Sequence, residues 1–403
     1  MTLSEILSNF YVVSLIKVAL VAFVLLTTLA YLQWIERKVI AHVQLRVGPY
    51  RVGPHGLLQP LADVVKLITK EGLIPSHVNK LFYLMAPFVA VALALTSIAV
   101  IPFGPEITIG PVKTWMQLTD LRIGILFVLA VSSIGVYGVA LGGWASNNKY
   151  SLLGGLRSSA QMISYELPLA LAVVAPLLLA NTLSFREMVN YQGGYWLGFI
   201  PKWNLFPEIV GFIVFMIASF AETNRVPFDL PEAENELVAG FHTEYSSMNF
   251  AAFFMAEYAN MVTVTCVATL LFLGGWTPPF PAPYSDAVPI LVFAISGLIA
   301  LYHGLNPARR MDRFTLPATA VVFLGIAAIF GLSLFVPMLN TILMALFWFC
   351  GKVLVLLFIF IWVRATLPRF RYDQLMRFAW IFLFPLGMIN LLATGLIVAL
   401  TTK

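Results

Sequence analysis

Ten apolar segments divide the chain, at residues 9–34, 82–103, 122–145, 160–181, 206–222, 248–274, 288–304, 317–337, 340–363 and 378–400. Most reach or approach the ~20 residues an α-helix needs to cross the hydrocarbon core of a bilayer. None shows the ~10-residue alternation of a transmembrane β-strand. The pattern predicts an all-α polytopic membrane protein of ten transmembrane helices. Between the first two segments the period changes. In 56–72, Leu57, Leu58, Leu61, Val64, Val65 and Ile68 fall on one helical face, and Gln59, Asp63, Lys66 and Lys70 on the opposite one. This predicts an amphipathic helix in the first long loop. Such a helix suits the membrane surface and equally suits the wall of a cavity with Asp63 presented into it. The RVGPYRVGP unit before it, at 46–54, carries Gly-Pro pairs that demand turns and reads by itself as a stiff linker.

Composition agrees with the pattern. The chain is 60% hydrophobic and 11% charged, against about 25% charged residues in a soluble domain. The first segment continues to Trp34 and ends in charges instead of a small-residue cleavage site, so a removable signal peptide is not expected. Charge then orients the spans. With the N-terminus outside, the loops 35–81, 146–159, 223–247, 305–316 and 364–377 lie inside and hold 17 of the 24 basic residues. The outside segments hold Lys113, Arg122, Arg186, Lys202 and Lys403. By the positive-inside rule both termini are expected outside and those five loops in the cytoplasm.

One inside loop concentrates the acid. RVPFDLPEAENELVAGFHTEYS, residues 225–246, holds Asp229, Glu232, Glu234, Glu236 and Glu244, five of the 19 acidic residues. Part of this is explained by a helix start: Asp229, Pro231 and Glu232 fit a first turn, where acidic side chains complement the helix dipole. Glu236, Glu244 and Glu257 lie beyond such a turn, and on a helix Glu232 and Glu236 share a face. Lys17, Glu166, Glu257 and Lys352 sit in or just within spans, where an ionisable group is costly and reads by default as functional. Glu36 closes the first span in WIERK, where a boundary charge beside Arg37 and Lys38 is the plain alternative. Carboxylates that face one another with few cations nearby hold protons more tightly, titrate as a cluster, and suit a proton relay running into the membrane. No dinucleotide-binding glycine fingerprint, P-loop or metal-spaced Cys/His set is present. Cys266 and Cys350 lie inside apolar spans and are too few for an iron–sulfur site. Of the five histidines, His42, His55, His77 and His242 fall in inside loops and His303 ends a span, so none is paired across spans at mid-depth as a haem would need.

Seven stretches, in order, carry a resemblance: WIERK, RVGPYRVGPHGLLQPLADVVKLITKE, GGWASNNKYSLLGGLRSSAQMISYE, AETNRVPFDLPEAENELVAGFHTEYS, FFMAEYANM, LFLGGW and RATLPRFRYDQLM. Together they resemble the H-type membrane component of bacterial proton-pumping NADH-quinone oxidoreductase, the complex I subunit 1 family, over about 1–284 and 339–403. The resemblance implies a component of a translocase in the bacterial cell inner membrane that carries no redox centre of its own. Quinone is its substrate, and FMN and iron–sulfur clusters reside in partner subunits. Its partners would be the peripheral-arm subunits of the quinone site, the antiporter-like membrane subunits and the lipid bilayer, with no nucleic acid. It further implies a quinone chamber involving Glu36, Arg37, Asp63, Arg225, Asp229 and Glu232, and a proton path through Glu166, Glu234, Glu236, Glu244 and Glu257. No residue of the chain is implied as catalytic. Lys352, Arg364, Arg369 and Arg371 match late basic positions of the family.

The family has about eight spans where this chain has ten. Residues 1–284 are therefore expected to form the core with six spans and the chamber loops, 285–338 an inserted transmembrane hairpin, and 339–403 the last two core spans. Two other readings stand beside this one. An equivalent membrane component of a related hydrogenase or ferredoxin-linked complex would share the fold and the acidic path. A stand-alone proton-coupled transporter would show an internal repeat, and none is found.

Overall fold

The structure, a computed structural model, describes residues 10–109, 112–229, 238–307 and 312–401. All ten expected segments are helical. They correspond to α1 (Phe10–Val43), α3 (Lys80–Ser97), α4 (Gly124–Ala145), α5 (Lys149–Ala180), α7 (Ile209–Glu222), α8 (Ser247–Phe272), α9 (Tyr284–Leu305), α10 (Asp312–Ser333), α11 (Pro337–Thr366) and α13 (Phe384–Thr401). The remaining helices are α2 (Gln59–Thr69), α6 (Phe185–Tyr191) and α12 (Tyr372–Arg377), the last running through a π turn into α13. Among the described residues, nine helices are long and apolar enough to cross a membrane. The chain is thus an all-α multi-pass membrane protein. The predicted amphipathic helix is α2, whose apolar face, including Leu61, Val65 and Ile68, is exposed.

The fifth segment, 206–222, differs from expectation in length. Helix α7 has 14 residues, about 21 Å at 1.5 Å per residue, against a core of ~30 Å. It stops at Glu222 because Asn224 takes a left-handed conformation (φ 50°) and the chain turns through 223–229 instead of continuing. Irregular backbone at membrane depth survives only where protein or a watery cavity satisfies its polar groups. Here Gln161 of α5 does so, its Nε2 donating to the carbonyls of Ala221 at 2.9 Å and Phe228 at 2.8 Å.

Helix α8 is the most enclosed long span, and α1, α9, α10 and α13 are the least. Helix α8 is apolar around most of its circumference, as in a buried helix, and Glu257, Asn260 and Thr263 interrupt the apolar residues. It packs on α3, α7, α11 and α1, while α3, α4, α5 and α7 pack successively on one another and α13 covers α5. Small residues let these helices approach closely without a strong hydrophobic drive in lipid. A methyl group on Gly143 of α4 would sit 2.6 Å from the Ser151 carbonyl of α5. Helices α9 and α10 form a hairpin on each other and pack on α11, where Phe293 and Phe330 meet Phe347.

Two small antiparallel sheets, not expected from the sequence, lie in connections at the end of the bundle remote from the acidic loop. Strand β1 (Glu106–Ile109) pairs with β2 (Val112–Trp115), and β3 (Tyr195–Trp196) with β4 (Ile200–Pro201). Strands of two to four residues are too short to show an alternation. The same end accounts for two of the in-span charges. Lys17 Nζ donates to Thr114 Oγ1 at 2.5 Å and the Trp115 carbonyl at 3.0 Å. Lys352 Nζ donates to the carbonyls of Leu273, Gly275 and Thr277 at 2.6, 2.8 and 2.6 Å and lies 4.3 Å from the centre of the Trp203 ring. Both lysines, whose depth alone reads as functional, tie their helices to connections between other helices, Lys17 to the α3–α4 connection and Lys352 to the α8–α9 connection.

Candidate functional site

At the acidic end the break after α7 leaves a cavity of about 420 Å³ between α1, α8, α11 and the first loop. Gln33, Glu36, Arg37 and Ile40 face it from α1, at the three- and four-residue spacing of one helical face. Phe254, Glu257 and Tyr258 do the same from α8, Arg225 and Asp229 project from the broken segment, and Arg364 comes from α11. Arg46, Gly48 and Pro49 complete the wall. Five of the expected site residues, Glu36, Arg37, Arg225, Asp229 and Glu257, therefore meet around one space.

The centre of the wall is Glu36, whose carboxylate is buried. Tyr258 donates its hydroxyl to Oε2 at 2.6 Å, Arg225 lies 3.4 Å from Oε1, and Arg364 donates to the same oxygen. The Arg225 guanidinium also stacks over the Tyr258 ring at 4.2 Å. A charge so enclosed is tolerable only with close partners, and removing one of them typically costs about 3–5 kcal/mol. Glu36 is thus no boundary charge, and a cation-poor cluster, the setting expected for a proton relay, does not describe it. Asp229 pairs with Arg369 at 3.0 Å. Asp63 stands one layer out: its carboxylate meets Arg37 at 2.8 Å and accepts from Gln59 at 2.9 Å.

Going deeper, the electrostatics reverse. A second cavity of about 30 Å³ shares Asn224 and Glu257 with the first. A third, also about 30 Å³, shares Ser97, Ser132, Glu222 and Asn260 with the second. Neither is lined by a lysine or arginine among the described residues. Each has room for a water molecule, which needs about 10–15 Å³ and polar neighbours. Ser132 of α4 hydrogen-bonds Glu222, and the adjacent Ser133 donates to Glu166. The α8 face that lines all three runs from Phe254 to Val267 through Glu257, Asn260 and Thr263. Its stretch from Glu257 to Val267 covers about 15 Å along the helix axis.

Glu222, Tyr258, Ser132 and Asn260 were not singled out in the sequence. For Glu222 a signal existed, an acidic residue ending an apolar span within AETNRVP. The partnership of Tyr258 with Glu36 spans 222 positions and has no local signature. Glu244 lies outside the three cavities and accepts from Asn148 Nδ2 at 2.7 Å, at the start of α5. Glu232, Glu234 and Glu236 fall outside the described residues. His242, on the short turn before α8, is buried among the rings of Phe241, Phe250 and Phe254. Burial pushes its imidazole down to about 4, so it adds no positive charge to this end at neutral pH.

The family model described as NADH dehydrogenase matches residues 16–395. The chain is 67% identical to H subunit 1 of the NADH-quinone oxidoreductase of Solibacter usitatus, over 99% of this chain and 100% of that protein. It is 50% identical to H subunit 2 of the Koribacter versatilis enzyme, over 97% of this chain and 98% of the relative. With H subunit 2 of the Geobacter metallireducens enzyme it shares 44% identity over 97% of each chain.

Proposed function

The chain belongs to the family of H subunits of NADH-quinone oxidoreductase, complex I, and from that membership we propose that its 420 Å³ cavity is part of the quinone chamber. The Glu257–Glu222–Glu166 line is, in this reading, a proton path leading away from it. The observation that carries the reading is the junction at Glu257. Its side chain lines both the charged cavity and the cation-free one behind it.

The volume lies in the range of small-molecule sites, and the wall supplies what quinone reduction needs. Reducing a quinone to a quinol takes two electrons and two protons. The electrons come, in this proposal, from iron–sulfur and flavin groups of partner subunits. Negative charge arriving on the quinone oxygens draws on Arg37, Arg225 and Arg364 and competes with Glu36 for the last two. Because Arg225 also stacks on Tyr258, a shift of that guanidinium is felt at the neighbouring position on α8, Glu257. A proton taken up or released there has Glu222 next and Glu166 after it, with Ser132 and Ser133 as hydroxyl partners and space for one water on either side of Glu222. In the same proposal Glu232 belongs to the chamber, and Glu234, Glu236 and Glu244 belong to the proton path, as family membership implies.

The protein would sit in the bacterial inner membrane with both termini outside, a reading that the nine long apolar helices among the described residues and the clustering of basic residues support. Peripheral-arm subunits would then cover the cavity, and antiporter-like subunits would receive the protons. The chamber is tested by Arg225→Ala and Asp63→Asn in assembled complex. Apparent KM for quinone should rise about threefold or more, or inhibitor sensitivity shift, with NADH oxidation by ferricyanide unchanged. Unaltered quinone KM and inhibitor sensitivity in both variants would contradict it.

A further inference from the structure

The first loop contributes Arg46, Gly48 and Pro49 to the cavity wall; Arg46 N donates to the Ala41 carbonyl at 2.8 Å and Gly48 lies against Ala41 of α1, while Pro49 stands further along, against Gly56. Gly48, Gly53 and Gly56 all have positive φ, and so does His55 at 51°, a conformation that a residue with a side chain rarely adopts. The few backbone bonds of the loop are local, such as Leu57 N to the Pro54 carbonyl at 3.0 Å and Leu58 N to the Val52 carbonyl at 3.2 Å. Gly56 is pressed against Pro49 so closely that a Cβ there would lie 2.6 Å from the Pro49 carbonyl oxygen. Where the turn of 54–56 goes, Pro49 and its part of the cavity wall must follow.

What holds that turn comes from the far end of the sequence. His55 reaches into the first turn of α10, its Nε2 lying 2.8 Å from Thr315 Oγ1 and 3.2 Å from Asp312 Oδ1. The imidazole also stands perpendicular to the Tyr50 ring, with ring centres 5.3 Å apart, and Lys38 of α1 lies 5.7 Å from the centre of that ring. Helix α10 is itself held by its hairpin partner. Pro317 packs on Gly304 and Leu324 on Gly297, at distances that leave no room for a Cβ on either glycine.

We propose that the α9–α10 hairpin is a brace for the cavity, holding His55 between Asp312 and Thr315 and thereby setting where Gly56, Pro49 and that part of the chamber wall stand. His55, Asp312 and Thr315 are positioning residues, and none of them lines the cavity. The inference rests on the cavity being the quinone chamber, and it gives the extra two spans a task in the membrane: fixing the width of a site built from other elements. A loose wall weakens quinone capture before it slows any later step, so the expected effect falls on KM.

The test uses assembled complex in native membranes, with a short-chain benzoquinone and a short-chain naphthoquinone as probes. Asp312→Ala/Thr315→Val and His55→Ala should each raise apparent quinone KM about threefold or more, with kcat within about twofold. Ferricyanide reduction by NADH serves to count assembled enzyme. Combining all three changes should be no worse than either set, because both remove the same contact. Thr315→Ser, whose hydroxyl still hydrogen-bonds His55, should leave KM near normal. Unchanged KM in the assembled variants, additive effects in the combination, or a loss of assembled enzyme with normal KM in what remains would each overturn the brace. Arg225→Ala run alongside separates the two claims. If it alters KM and the hairpin variants do not, the brace fails and the chamber stands; if neither does, the chamber fails.

Discussion

At the residue scale, the wall of the cavity is governed by one buried carboxylate and its partners. Glu36 was visible in WIERK, but its burial was not, because Arg225 and Arg364 come from positions 189 and 328 residues away. The carboxylates legible from sequence as costly, Glu166 and Glu257, do lie on or beside the cavities, whereas Lys17 and Lys352 looked equivalent and serve as pins. Depth in a span identifies an expensive charge; only the partner identifies its use. His242 allows a pH prediction. Its folded-state pKa of about 4 lies below the ordinary value of 6.5, so only the unfolded chain takes up the proton between these limits. Stability is therefore fully present above pH 6.5 and declines as pH falls towards 4, by up to ~3 kcal/mol for this group. His242→Phe, which suits the surrounding rings, should flatten that part of the thermal-stability profile of the purified complex. A slope as steep as that of the unaltered protein would show that His242 does not cause it.

At the element scale, span positions were legible because an apolar helix must be long to cross lipid, and all ten segments proved helical. The short β-hairpins and the early end of α7 were not. The end of α7 depends on a tertiary partner, Gln161, buried 60 positions earlier in α5. Its amide closes two carbonyls that no water in the hydrocarbon core would satisfy. Gln161→Leu should deprive the Phe228 carbonyl of its donor, while Ala221 keeps the Asn224 N–H at 3.3 Å, and cost about 1–3 kcal/mol. The expected outcome is a lower melting temperature and faster proteolysis within 223–229 in detergent-solubilised complex. Unchanged melting and cleavage would mean that the broken segment is held by something else. The amphipathic helix α2 was legible as an element, and its two candidate settings are resolved in part: Asp63 reaches the cavity only through Arg37.

At the scale of the whole molecule, charge is sorted by depth. Arginines gather around the cavity at the acidic end; behind it Glu257 and Glu222 line cavities without a cation among the described residues, and Glu166 follows as a partner of Ser133. Family membership was legible from seven ordered motifs, while the fit of the α9–α10 hairpin to the first loop was not, since no local pattern announces His55 meeting Asp312. The central claim is that the line behind the cavity moves protons in step with quinone reduction. Its most direct test is Glu222→Gln, an isosteric change at the carboxylate shared by the second and third cavities, in complex reconstituted into proteoliposomes. Proton translocation and quinone reduction would be measured together, normalised to NADH oxidation by ferricyanide. The account predicts normal ferricyanide activity, with coupled quinone reduction and proton translocation both reduced about tenfold. Wild-type quinone turnover with a wild-type ratio of protons to electrons would contradict it.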